Sequence, residues 1–229
     1  MYYLHSDFKT PADDLIVWRY MSVDKYISLL QTRALHMCRL DRFDDPWEGY
    51  WPVGYREFIS DDMDVKSKKY LFVNCWHAND YESAAMWDLY GSRHSGVAIK
   101  TTIGSLKRSI IDEEDFFIGA VQYVDYERYT ERSMLNIAVP AFIKRLSFLH
   151  EQEVRLLSFG FPTVDAEGNS PDTEVQAMSC KVDLTNLMEE IYFSPTMPSW
   201  LVTALIDVSE KYGLTDCFNQ SNLYDRLVK

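Results

Sequence analysis

Residues 71–102, LFVNCWHANDYESAAMWDLYGSRHSGVAIKTT, decide how this chain is read. Leu71, Phe72 and Val73 form an apolar run suited to a buried strand. Asn79 and Asp80 offer a helix cap, Met86, Leu89 and Tyr90 follow on one expected helix face, and Gly91 supplies a stop. A second apolar run, Gly96 to Ile99, closes the stretch. The reading is strand, loop, helix, strand, with aromatic residues and two histidines, His77 and His94, at the junctions.

Working outward toward the N-terminus, residues 15–20 read as a buried strand carrying Arg19. Ser22 is placed to cap a helix whose apolar positions are Val23, Tyr26, Ile27 and Leu30. A short strand over 34–38 leads to Asp45-Pro46, a pair that suits a turn or a helix start. Residues 50–70 read as irregular helix and surface loop. Toward the C-terminus, Thr102 caps a helix with Ile103, Leu106 and Ile110 on one side, and 117–124 reads as a strand. Residues 130–148 show helical periodicity that Pro140 should kink. Residues 150–157, passing from polar into a strand, a loop over 162–174, strands at 177–182 and 191–193, and a helix from Leu201 to Tyr212 closed by Gly213 complete the chain. Helices and strands alternate irregularly. The expectation is therefore α+β, one domain over residues 1–229, with a mixed, largely antiparallel sheet flanked by helices.

Composition narrows the function classes. A hydrophobic share of 47% with 25% charged residues fits a globular chain with a real core. The net charge of −12 disfavours non-specific nucleic-acid binding, which phosphate contacts drive, and leaves room for a basic protein partner. No apolar stretch approaches membrane-span length, and MYYLHSDFKTPADD lacks the basic and apolar regions of a leader, so a cytoplasmic chain without membrane contact is expected. Cys38, Cys75, Cys180 and Cys217 form no C-x-x-C pair and read as reduced thiols, although Cys75 beside Trp76 and His77 is also a candidate nucleophile. Neither a metal nor a permanently bound cofactor is expected, because no H-x-x-x-H, H-E-x-x-H or calcium-loop spacing occurs.

Several residues invite two readings each. Arg19 in an apolar strand needs a partner, so it is either one half of an ion pair or a pyrophosphate clamp. Glu151, Glu153 and Arg155 should alternate onto one strand face, as a salt-bridge ladder or as catalytic groups. Trp87 and Tyr90, three apart on a helix, serve core packing or stack on a ring. His77 and His94 close loops or transfer protons.

A set of motifs carries a resemblance. They are Trp18-Arg19-Tyr20 before a helix, Phe43-Asp44-Asp45-Pro46-Trp47-Glu48, Cys75-Trp76, Met86-Trp87-Asp88-Leu89-Tyr90, Gly96-Val97-Ala98-Ile99 and Glu151-Gln152-Glu153-Val154-Arg155. In this order, over roughly residues 15–223, they resemble a large bacterial domain-of-unknown-function family, number twenty-nine seventy-one. That resemblance implies kinship with abortive-infection and phage-defence proteins. At greater distance the order of elements is similar to ADP-ribosyltransferase-like folds, although no Ser-Thr-Ser triplet is present. This second resemblance implies NAD as a substrate, with Arg19, Tyr20, Trp87, Tyr90 and Arg155 holding the dinucleotide and Glu153 acting on the ribose. The alternative is a non-catalytic module of a defence system that binds a nucleotide ligand or a protein partner.

Overall fold

The structure, a computed structural model, describes residues 1–4, 8–55, 57–60, 66–129, 136–161 and 175–225. The fold is α+β, with mixed, largely antiparallel strand pairing and helices beside it. The chain divides into two compact units, each assembled from three separate stretches. The first takes Met1–Pro11, His36–Cys75 and Glu113–Cys180, and the second takes Ala12–Leu35, Trp76–Asp112 and Lys181–Lys229. Among the described residues no helix is long and apolar enough to cross a membrane.

In the first unit, strand β2 (Ala34–Arg39; β1, Ile16–Ser22, belongs to the second unit) pairs antiparallel with β3 (Leu71–Ala78), Cys38 opposite Val73. β3 also neighbours β8 (Glu153–Phe159), and β8 pairs antiparallel with β5 (Phe117–Ala120). β9 (Met178–Lys181) flanks β2. Phe8, Leu40, Leu71, Val73, Phe142 and Leu157 pack into one core cluster, and Trp51, Tyr55, Val124, Tyr126 and Ile143 into another. Residues 50–55 are therefore not a surface segment as expected: Trp51 is 3% and Tyr55 1% exposed, because two large rings found apolar partners.

Two further expectations change in this unit. The single strand over 117–124 breaks at Val121, whose N–H donates to the Glu153 carbonyl. The break lets the chain change partners, so that β6 (Gln122–Val124) pairs in parallel with β7 (Ile143–Arg145). The helix expected over 130–148 does not form among its described residues. Pro140 lacks an N–H and sits in a 3-10 turn, Val139–Phe142, and the chain then extends as β7 before a second 3-10 turn, Leu146–Glu151. Residues 130–135 of that helix, and the loop expected at 162–174, lie outside the described residues.

The second unit is built on β1, which pairs antiparallel with β4 (Gly96–Thr102) along its whole length and with the last residues of β3. β10 (Glu190–Phe193) pairs antiparallel with β4 and in parallel with β11 (Phe218–Gln220). Helix α1 (Val23–Thr32) buries Tyr26, Leu29 and Leu30, and Arg33 ends it in a left-handed conformation. Ser22 occupies the cap position without capping the helix backbone. Its hydroxyl instead bonds the Asp24 carboxylate, holding that group below its ordinary value. Helix α2 (Ala84–Leu89) begins later than Asn79 and Asp80 would have it. Ser83 is the cap, accepting from the Met86 N–H, while the Asn79 carbonyl receives the Trp18 indole N–H at 2.9 Å. Thr102 caps α3 (Ile103–Ser109) as expected, accepting from Ser105 N–H. The short α4 (Leu184–Leu187) and β11 were not anticipated, and α5 (Ser199–Glu210) is the expected last helix.

Candidate functional site

Each unit carries one concentration of chemistry-bearing side chains. In the first unit it grows from β7 and β8. Strand alternation points Glu153 and Arg155 the same way from β8. β7 supplies Lys144, and the Leu146–Glu151 turn returns the chain so that Glu151 arrives beside it. Glu151 is not on the strand, as the alternation argument had it. It ends the turn, and Gln152 takes a left-handed conformation (φ 42°) before the strand starts. Glu48 comes from a turn in which Asp45 accepts from the N–H groups of Trp47 and Glu48, and Gly49 at φ 76° completes the reversal.

These five side chains form a closed knot of charge. The Lys144 ammonium donates to Glu151 and, at 2.6 Å, to Glu153 Oε1, and lies 3.5 Å from Glu48 Oε2. Arg155 Nε donates to Glu153 Oε2 at 2.6 Å. Arg155 Nη1 donates to the Ala141 carbonyl and lies 2.6 Å from Glu48 Oε1. That last contact is ionic rather than a directed hydrogen bond, since the Glu48 oxygens accept none of good geometry. Tyr123 fixes the strand start by accepting the Glu153 N–H at 2.8 Å. Arg155 is 0% exposed and Glu153 7%. Burial alone would push the Glu153 carboxyl up. The Arg155 charge, a hydrogen bond with Glu151 and the Lys144 charge override it and hold the group well below the carboxylate range. Burial would likewise lower Lys144, but the carboxylates around it keep it above the ordinary lysine value. At the rim, Arg145 pairs with Asp45 at 2.6 Å and lies over the rings of Trp47 and Phe148.

In the second unit the chemistry lies on one sheet face. Register puts Trp18 opposite His77 and Lys100, Lys100 opposite Glu190, and Tyr20 opposite Ala98, which faces Tyr192. The Trp18 ring centroid lies 5.0 Å from Tyr192 and 6.0 Å from Tyr20, and Tyr20 meets Trp87 edge-on at 5.0 Å. The Lys100 ammonium sits 5.6 Å from the Trp18 centroid and donates to Glu190 Oε1 at 2.6 Å. Glu190 Oε2 accepts from Tyr192 (2.9 Å) and Asn219 (3.3 Å). Glu82 accepts from the Trp87 indole and the Ser221 hydroxyl, both on Oε2. Trp18, Tyr20, His77 and Trp87 are buried, whereas Lys100, Glu190, Tyr192, Asn219 and Glu82 are half-buried. Burial first, then its bond to Glu190, pushes the Tyr192 hydroxyl up to about 12, so it remains a donor.

The residues singled out in the sequence distribute as follows. Glu153 and Arg155 meet in the first unit, bound to each other. Arg19, Tyr20, Trp87 and Tyr90 belong to the second. There, Tyr20 and Trp87 pack together, but Arg19, as the next residue of β1, faces the other side of the sheet, its guanidinium 6.0 Å from the Trp76 centroid. Trp87 is buried and Tyr90 is 49% exposed, so the two do not share a wall. Leu89, expected on the Met86 face, is 56% exposed. His77 lies 3.4 Å from the Asn79 amide, and His94 bonds Thr196 on the surface. Lys144 escaped notice because it lay in a supposed helix. Lys100, Glu190 and Tyr192 escaped it although the alternation in Glu190-Ile191-Tyr192-Phe193 was available as a signal.

Residues 86–156 match the profile of a family described as "Protein of unknown function (DUF2971)". The match supports the domain-of-unknown-function resemblance over that stretch, which includes Trp87, Lys100, Lys144, Glu151, Glu153 and Arg155. No curated protein matches the chain.

Proposed function

We propose that this chain is a non-catalytic binding module for a basic protein partner. The observation that carries the reading is the state of Glu153. Both its oxygens are taken, one by Lys144 and one by Arg155, in a pocket of charge that water scarcely reaches. A carboxylate that stabilises a developing oxocarbenium must face the reacting sugar, and this one faces two cations of its own chain. The basic groups best suited to phosphate, Lys144 and Arg155, are neutralised in the same way, which weighs against a nucleotide there. What stays half-open, in the second unit, is aromatic and acid-lined. With a net charge of −12 such a surface attracts a basic protein. A role in bacterial defence rests on the family resemblance.

The second reading is ADP-ribosyltransferase-like action on NAD with Glu153 as the carboxylate. The convergence of Glu151 and Glu153 on one ammonium favours it, because it keeps Glu153 ionised at a strand start. Incubation with NAD separates the two. The binding reading expects no nicotinamide release by the wild type. Release that disappears in Glu153→Gln establishes the enzyme reading instead. Calorimetric titration with a short arginine-rich peptide and an acidic peptide of equal length tests the partner: saturable binding is expected of the first alone, and binding of neither removes the proposal.

A further inference from the structure

We infer that the acid-lined aromatic face on β1, β4 and β10 receives a guanidinium side chain, stacked on Tyr192 and held by the open oxygen of Glu82. The inference rests on the binding-module reading and says where, and by which group, the partner is gripped.

Three observations converge. First, the face already holds a cation: the Lys100 ammonium lies beside the Trp18 ring with Glu190 behind it. Ring faces carry partial negative charge, so a cation settles there if a carboxylate offsets its lost hydration. A face built this way for its own lysine has the chemistry to accept a second cation next to it. Second, the two carboxylates differ. Glu190 is fully committed, to Lys100 on one oxygen and to Tyr192 and Asn219 on the other. Glu82 accepts both its bonds on Oε2, leaving Oε1 without a hydrogen bond among the described residues. Glu82 holds the Trp87 indole, and Trp87 packs in one ring cluster with Trp18, Tyr20 and Tyr192, so the open oxygen and the Tyr192 ring border the same group of aromatics. Third, exposure is graded. Trp18, Tyr20 and Trp87 form a buried floor, and Tyr192, Glu82 and Leu223 a half-buried lip.

Charge and shape choose the guest. Glu82 and Glu190 against Lys100 leave the face acidic, which repels phosphate. Arginine suits it better than lysine. The planar guanidinium stacks on a phenol ring and keeps in-plane donors for a carboxylate, whereas an ammonium must stay more hydrated.

The test uses the whole chain and Nα-acetyl-arginine amide as probe, followed by the indole N–H resonances in ¹H–¹⁵N spectra. The expected result is a saturable shift at Trp18 or Trp87, weakened about tenfold by Tyr192→Leu and by Glu82→Gln, in line with a cation–ring contact and one charge-assisted bond. Retained dispersion of the remaining resonances shows that each variant is folded. Nα-acetyl-glutamine amide should produce no saturable shift. Equal shifts from both probes, no shift with the arginine probe, or an unchanged affinity in both variants overturns the inference. The arginine-rich peptide distinguishes this failure from failure of the underlying reading: if the peptide binds the wild type and both variants equally, the module stands and its grip lies elsewhere.

Discussion

Glu153 and Glu190 are chemically the same group in nearly the same company. Each gives one oxygen to a lysine at 2.6 Å and the other to a second donor, Arg155 for Glu153 and Tyr192 for Glu190. What separates them is water. Glu153 is 7% exposed, with both cationic partners equally enclosed, while the Glu190 side chain is 36% exposed and Lys100 23%. Where water is excluded, a charge needs opposite charge beside it, so in the first unit three carboxylates share two cations, and loss of either cation leaves buried carboxylates uncompensated. Where water enters, the same pair is worth little to stability. Burial, rather than residue type, decides how much such a carboxylate–lysine pair holds the fold together.

The comparison breaks most sharply at Arg155. Arg155→Met leaves Glu153 and Glu48 buried without their guanidinium and should cost about 3–5 kcal/mol, measured as a loss in the urea unfolding midpoint. Lys144→Met should cost about 3 kcal/mol, and the Lys144/Glu153 double-mutant cycle should show a coupling of about 1–3 kcal/mol. A coupling near zero would show that the knot is not a unit. Lys100→Met, in the half-exposed pair, should cost about 0–1 kcal/mol by the same measurement. A loss as large as that of Lys144→Met would erase the contrast drawn above.

Acidity sharpens the comparison further. Glu153 is held below its unfolded value, so its contribution is present above the ordinary carboxylate range and fades as pH falls through the depressed folded value. Lys144 is raised, so its contribution is present below the ordinary lysine value and is lost as pH rises through the folded one. The stability conferred by the knot should therefore be level from about pH 4.5 to about pH 10, with both losses outside that window. Urea midpoints of wild type and Lys144→Met across pH check it: the gap between the two should stay constant inside the window. The smallest effect is expected at Tyr90→Ser, within about 0.5 kcal/mol, because that ring is half in solvent.

Much of the second unit was legible in the chain. β1, β4 and β10 are apolar runs bounded by polar residues, and Thr102 announced its helix. Local pattern was enough because these elements are regular. Ser83 was hidden because Asn79 and Asp80 before it could each have capped α2, and tertiary bonds, from the Trp18 indole to the Asn79 carbonyl and from the Ser83 N–H to the Tyr20 hydroxyl, settled the choice. The knot was only half legible. Glu153 and Arg155 stood out, but Lys144 sat in a stretch with helical spacing that Pro140 and the pairing with β6 turned into a strand. Contacts such as Arg145 to Asp45, 100 positions apart, leave no periodic trace in a single sequence. The opposite facing of Arg19 and Tyr20 followed from strand alternation alone, and a grouping of both into one cleft overlooked it.

The threading of the chain has a consequence for its synthesis. The first unit opens with the N-terminal residues but lacks its last stretch until Cys180 has been made, and the second, begun at Ala12, is finished only by the stretch from Lys181 onward. A nascent chain released at Ser109 would hold β3 without β8 and β4 without β10, with apolar strand flanks uncovered in both. Neither body can be expressed by trimming the chain at one end. Separating them takes a rearrangement of the coding order, joining the three stretches of one body with new connections.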